Sequence, residues 1–276
     1  MERRSRKLRG LVTDEGYKDR GEARANAIIR LAWESLPTSV ETNREHDDWN
    51  VYVPATVARC AYLLESILAL GERYMDSGII LRSLFEHVVT FAWVSADHRE
   101  RLPRLIGNDY EQRLKFFRYF SAHGREPHDA GAEQRLQERV TAIRRGLPAP
   151  SKAQRKAGTT KPRLLPSLET MALDADAYWR RVLPDLGLEG VYTLSGQYVG
   201  FYRSYSQHVH PTIFGLQPLV FEQGDRHVIF GRPEPSELSP ASSGSVIFSQ
   251  LLLLAAYLCG WPEPGRVAQI HEQFPV

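Results

Sequence analysis

The chain has 276 residues, 42% of them hydrophobic, and a net charge of +2. That apolar content supports a sizeable core and excludes global disorder, while so small a net charge leaves the question of an acidic partner to the distribution of charge rather than its total. The two cysteines, Cys60 and Cys259, sit in apolar stretches with no CxxC or Cys/His cluster, which excludes a structural zinc site of the usual kind and fits two buried free thiols in a reducing compartment.

Residues 1–20 are polar and basic at the start, with no apolar core of a signal peptide after them, so they read as a basic flexible arm. The rest, 21–276, reads as a single helical domain. Ala23 to Leu36 places Ala27, Ile28, Leu31, Ala32 and Trp33 on one helical face, closed by Pro37. Pro54 suits the start of a second helix, which carries Val57, Ala61, Leu64, Ile67 and Leu68 as far as Gly71. Gly78 to Asp97 is apolar around most of its circumference and is therefore predicted to be central. Arg82 and Glu86 are its polar exceptions. Two more charged helices, about 101–122 and 131–145, are predicted at the periphery.

Between Gly146 and Pro166 the character changes. Four prolines and Lys152, Arg155, Lys156, Lys161 and Arg163, with no acidic residue, predict a basic loop at about 146–163. It is either a solvated linker or a flexible clamp for nucleic acid, in which each neutralised phosphate adds about 0.7 to the salt dependence for single strands. Helices are predicted again at 167–173 and 175–183, and then from Thr193 to His210. Leu219 to Phe230 holds two β-prone runs around Gly224-Asp225 and predicts a β-hairpin. A Pro/Ser-rich loop, 231–244, leads to a last buried helix. Its apolar run, Val246 to Trp261, is interrupted by Ser249 and Gln250 and is shorter than the roughly 20 residues of a membrane span, so no membrane association is expected. The predicted fold is mainly α: a helical bundle with an inserted β-hairpin at about 219–230.

The richest segment is Tyr202-Arg203-Ser204-Tyr205-Ser206-Gln207-His208-Val209-His210-Pro211. On a helix His208 lies about 140° around from Arg203, and His210 returns to the arginine's face. Pro211 puts His210 at the helix end. Histidine titrates near neutrality and moves protons, and arginine offers a planar fork that fits a phosphate. The same residues can equally cap the helix or pair with buried carboxylates. Arg82 and Glu86, four apart, form either an intrahelical ion pair that fixes packing or a group that orients a catalytic histidine. Tyr198, Tyr202 and Tyr205 suit core or interface packing, with base stacking as the alternative. No phosphate-binding loop, dinucleotide turn, zincin motif or nucleophile elbow is present, and no cofactor or metal is expected.

The run from Arg203 to His208, extendable to His210, resembles the Arg-x4-6-His signature of the HEPN superfamily of nucleotide-binding helical domains. The likeness extends over about Thr56 to Thr212. It is carried also by Arg82-Ser-Leu-Phe-Glu86 and by Leu165-Pro-Ser-Leu-Glu169-Thr-Met-Ala172, and it is nearest to an uncharacterised bacterial all-helical family related to that superfamily. The resemblance implies a metal-independent RNA endonuclease of toxin–antitoxin or antiviral systems. It would be a cytoplasmic homodimer, with RNA and an antitoxin or other defence protein as candidate partners. Arg203, His208 and His210 would be catalytic, supported by Arg82, Glu86, Tyr202, Ser204 and Ser206, with the basic loop binding nucleic acid. HEPN nucleases usually carry Asn or another strongly polar residue after the arginine, where this chain has Ser204. The alternative is a catalytically silent module that binds nucleotide, RNA or a protein.

Overall fold

The computed structural model describes residues 15–39, 48–71, 73–123, 131–150, 152–156, 161–182, 193–203, 205–206, 220–223, 227–230 and 239–275. Helices dominate: α1 Glu15–Ser35, α2 Asp48–Leu70, α3 Tyr74–Ala96, α4 His98–Ala122, α5 Ala132–Arg145, α6 Lys152–Lys156, α7 Leu168–Val182, α8 Leu194–Gln197, α9 Pro240–Cys259 and α10 Pro264–Gln273. The class is mainly α. Val220–Gln223 and His227–Phe230 pair antiparallel, with Val220 opposite Phe230 and Gln223 opposite His227. The segments joining this ladder to the helices lie outside the described residues.

α3 is the hub. It packs on α2, α9 and α7, and α1 closes the layer against α2 and α9. Leu81, Leu84, Phe85, Val88, Val89, Phe91, Ala92 and Val94 of α3 are wholly buried, as its near-continuous apolar circumference requires. The Trp179 indole of α7 donates to the Ala92 carbonyl at 2.9 Å, so that buried N–H is satisfied where α7 crosses α3. α4 and α5 form a second layer with a small core of their own around Leu114, Val140 and Leu164.

Several boundaries differ from the sequence expectation. α1 begins at Glu15, inside the stretch assigned to the basic arm. α2 begins at Asp48, so Pro54 lies within it rather than at its start. The added first turns bring Trp49 onto His98 and Phe91, with ring centroids 4.8 and 6.1 Å apart, and bury Val53. That burial offsets the lost backbone bond. The two helices expected at 167–183 are one, because Met171, Ala172, Ala175 and Trp179 make a single buried stripe across Asp174. Part of the basic loop, Lys152–Lys156, forms a short helix from good helix formers. α9 starts at Pro240, within the supposed 231–244 loop, because the Ser239 hydroxyl accepts from the Ser242 N–H and Pro240 takes the first helical position. It ends at Gly260, whose φ of +74° forms a left-handed cap.

At 20 residues, α9 is long and apolar enough to cross a membrane by length and composition, and so are α2 and α3. This corrects the shorter span read from the apolar run alone. Most of the α3 and α9 windows are buried against other helices of the chain. Cys60 is buried, whereas Cys259 is only half-buried, and both are free thiols.

Candidate functional site

The segment carrying Arg203 is fixed at two places before its own side chain matters. At its start the Asp176 carboxylate, buried on α7, accepts from the Leu194 and Ser195 N–H groups at 2.9 and 2.8 Å and from the Ser195 hydroxyl at 2.6 Å. The Thr193 hydroxyl accepts from the Gly196 N–H. The first backbone donors of α8, which no intrahelical carbonyl can reach, are thus satisfied, and negative charge lies at the positive end of the turn. α8 then passes into a π turn, Tyr198–Tyr202, closed by the Arg203 N–H donating to the Tyr198 carbonyl. The wider turn sets the Tyr198 and Tyr202 rings in a stack with centroids 5.0 Å apart. π turns inside α-helices recur at functional sites.

The second anchor is α3. Arg82 Nε donates to Glu86 Oε1 at 3.1 Å and to the Tyr202 hydroxyl at 3.3 Å, and the Tyr202 hydroxyl donates to the same Glu86 oxygen at 2.7 Å. These three groups close a ring of polar contacts between α3 and the tyrosine segment. The Arg82 guanidinium also lies over the Tyr202 ring, 5.3 Å from its centroid, and Phe85 packs on that ring from within the core. One turn further along, Tyr205 is buried against Gly78, where an added Cβ would collide with its ring. Glycine is required there because the tyrosine comes as close as the α3 backbone allows.

Electrostatics make this junction a clamp. Burial and then the bond to Glu86 push the Tyr202 hydroxyl above its ordinary value, with Arg82 pulling the other way. Desolvation works against the charge on Arg82, but its bonds to Tyr202 and Glu86 outweigh it and hold the guanidinium charged. Neither group exchanges protons near neutrality. As an ion pair with both side chains partly exposed, Arg82–Glu86 contributes only about 0.3–0.5 kcal/mol. The specificity of the junction comes from the shared tyrosine.

Arg203 follows directly and is exposed. Among the described residues its guanidinium meets the Tyr198 ring, 5.8 Å from the centroid. The Ser206 hydroxyl donates to the Tyr202 carbonyl at 2.7 Å, a bond back to the preceding turn. Of the residues singled out from sequence, Arg82, Glu86 and Tyr202 thus come together, with Arg203 and Ser206 on the segment they hold. Ser204, His208 and His210 lie outside the described residues. The cations Lys152, Arg155, Lys156, Lys161 and Arg163 are exposed. Their loop is pinned elsewhere: Leu164 is buried with Leu114 and Val140, and its carbonyl accepts from Arg104. Among the described residues no hydrogen bond or ion pair joins these cations to Arg82, Tyr202 or Arg203. No group of three His, Cys, Asp or Glu residues suited to a metal ion occurs among the described residues.

Sequence reasoning passed over Asp176, whose role depends on a backbone 18 residues away in the chain. It also passed over Arg59 and His87, which line a groove of about 440 Å³ beside Glu86. Neither has a motif around it, and only the pairing of α2 with α3 brings them to one groove.

No curated protein and no solved structure matches the chain. A family model, described as a family of unknown function (DUF5677), matches residues 51–227, which take in α2 from Val51 onward, α3 to α8, the tyrosine segment and the first strand. Since that match spans more than half of its length, the chain belongs to the DUF5677 family.

Proposed function

We propose that the chain is a metal-independent RNA endonuclease of HEPN type that works as a cytoplasmic homodimer in toxin–antitoxin or antiviral defence. An antitoxin or another defence protein would be its protein partner. The observation that carries this reading is Arg203 itself: an exposed guanidinium, set at the end of a π turn that Arg82, Glu86 and Tyr202 clamp to the central helix. A charged fork on an anchored backbone is what recognition of a phosphate calls for. In this reading Arg203 binds the scissile phosphate and stabilises the charge that grows on it. His208, with His210 as partner or alternative, takes the proton from the ribose 2′-hydroxyl as that oxygen attacks phosphorus. The P–O5′ bond breaks, the proton passes to the leaving 5′-oxygen, and a 2′,3′-cyclic phosphate remains.

The test is incubation of the purified full-length chain with mixed single-stranded RNA in EDTA. Fragments ending in 2′,3′-cyclic phosphate are expected, DNA should stay intact, and Arg203→Ala and His208→Ala should each abolish cutting. If His210→Ala abolishes it and His208→Ala does not, the two histidines exchange roles. Intact RNA with the wild-type chain removes the nuclease reading.

A second reading draws on the junction's own chemistry. Arg82, Glu86 and Tyr202 are engaged with one another, and Arg82 and Tyr202 hold their protons near neutrality, which suits a catalytically silent module that presents Arg203 and its tyrosines to nucleotide, RNA or a protein. RNA bound but uncut in the same assay supports it.

A further inference from the structure

The groove beside the junction is lined by one face of α2, where Tyr52, Thr56 and Arg59 succeed one another, by Glu86, His87 and Thr90 of α3, and by α4 at Leu105. Its volume of about 440 Å³ lies within the range of small-ligand sites. Its charges are unevenly matched. Glu86, the carboxylate on its wall, shares one oxygen with Arg82 and Tyr202, so Arg82 offsets its charge. Arg59 is exposed, and among the described residues no carboxylate pairs with it. Its five donors are therefore available to an incoming anion.

His87 adds a ring nitrogen of fixed orientation. Its Nδ1 lies 2.8 Å from the Ser83 carbonyl oxygen of the preceding turn. A carbonyl only accepts, so Nδ1 carries a proton. This bond fixes the ring's orientation and leaves Nε2, on a residue that lines the groove, unengaged by the preceding turn. A phosphate anion beside the ring favours its taking up a second proton on Nε2, which then donates to a ligand oxygen. The Thr90 hydroxyl is a further donor one turn along. The Tyr52 ring and Leu105 supply an apolar floor that lowers local screening.

We propose that this groove is a phosphate-binding site in which Arg59 and His87 hold the phosphate oxygens from opposite helices, Thr90 assisting. Because Glu86 belongs to both the groove and the Arg203 clamp, the phosphate is one belonging to RNA or to a nucleotide engaged at Arg203. In that respect the inference rests on the reading above. An internal backbone phosphate and a terminal phosphate present the same oxygens, so the two sources must be separated by experiment.

The full-length chain is titrated in EDTA with three probes: a 2′-O-methyl oligoribonucleotide without terminal phosphates, the same strand with a 5′-phosphate, and inorganic phosphate. The 2′-O-methyl strand lacks the attacking hydroxyl, so binding is read without cutting. Arg59→Ala and His87→Ala are each expected to weaken binding roughly tenfold, the worth of one charge-assisted hydrogen bond. Arg59→Ala should also reduce the slope of log affinity against log salt by about 0.7. Arg59→Lys should restore the slope but not the full affinity, since the ammonium lacks the fork. Far-UV circular dichroism checks that each variant is folded. If the unphosphorylated strand binds with this dependence, the source is the backbone. If only the 5′-phosphate strand and inorganic phosphate do, the source is a terminal phosphate. Unchanged affinity and slope in folded Arg59→Ala and His87→Ala overturn the site, as does failure of all three probes to bind the wild type. Cutting of unmodified RNA, measured separately, then decides whether the nuclease reading survives without it.

Discussion

Two arginines on core-forming helices, Arg24 and Arg82, meet opposite fates. Arg24 of α1 is completely buried. It donates to the Ser245 hydroxyl at 2.8 Å, the Ser242 hydroxyl at 2.6 Å, the Ser242 carbonyl at 3.3 Å and the Phe274 carbonyl at 3.0 Å, drawing α1, α9 and the chain's end together. Arg82 of α3 keeps about a quarter of its side-chain surface exposed and holds a carboxylate and a phenol at the molecular edge. A sealed guanidinium surrounded by fixed hydroxyls and carbonyls has no room for a ligand and serves the fold. The partly exposed one organises a surface, and its neighbours Arg203, Glu86 and His87 face solvent or a groove. Burial therefore separates architecture from candidate function more sharply than residue type does.

The most severe way to break this contrast is Arg24→Ala. It leaves Ser242, Ser245 and the Phe274 carbonyl short of a donor and opens a void between α1, α9 and α10. A loss of about 3 kcal/mol or more is expected in urea unfolding. A loss below about 1 kcal/mol would show that the sealed site relaxes and that the contrast is false.

Gly78→Ala comes next. The new methyl group meets the Tyr205 ring, and overpacking of this kind costs about 1–3 kcal/mol. It should also displace the Arg203 segment, so RNA cutting or binding should fall more than a stability loss of that size explains when assayed well below the unfolding midpoint. Equal activity in the folded variant would detach Tyr205 from the site.

Tyr202→Phe removes two hydrogen bonds at the edge, the one given to Glu86 and the longer one taken from Arg82, and should lower stability by about 1–2 kcal/mol. It also sharpens the electrostatic account. The folded chain raises the tyrosine's pKa, through burial first and then Glu86, so the stability linked to this proton is fully present below the ordinary value of 10.0 and is lost as pH rises through the folded value. Unfolding measured between pH 9 and 11 should decline less steeply in Tyr202→Phe than in the wild type, and parallel curves would count against the clamp.

The smallest effect belongs to the sealed region. His271 on α10 lies against the Ser249 hydroxyl at 2.8 Å, and that hydroxyl donates onward to the Ser245 carbonyl, so His271 Nε2–H is the donor. Burial, then the nearby Arg24, lowers its pKa below 6.5. The linked stability is present above pH 6.5 and is lost as pH falls toward the depressed folded value, because the unfolded chain takes up the proton first. His271→Gln should flatten the fall in unfolding midpoint between pH 7 and pH 5, whereas an unchanged fall would place its origin elsewhere.

Much of this could be read from residue order. The 3.6-residue recurrence in α1, α2, α3 and α5 shows where helices lie, and the all-round apolar character of α3 marks it as central. The pairing of Arg82 with Glu86 follows from their i, i+4 spacing. The start of α9 was hidden because Ser239 and Pro240 read equally well as loop, and only the buried face that follows makes them a cap. α10 was missed because, among its described residues, only Val267 is fully buried, too little periodicity to notice. The π turn was invisible, since its tyrosines show the same i, i+4 spacing in either helix type.

The sequence alone thus determines the mainly helical class, the central place of α3 and the Arg-x4-6-His pattern, because each depends on periodicity or spacing within one short stretch. Only the tertiary structure decides that Tyr202 completes the Arg82–Glu86 pair, that Asp176 caps the tyrosine segment, that Arg24 is sealed, and that Arg59 and His87 share a groove. Those are contacts between helices far apart in the chain. They are selected by which apolar stripes pack together, and nothing in the local order of residues records that choice.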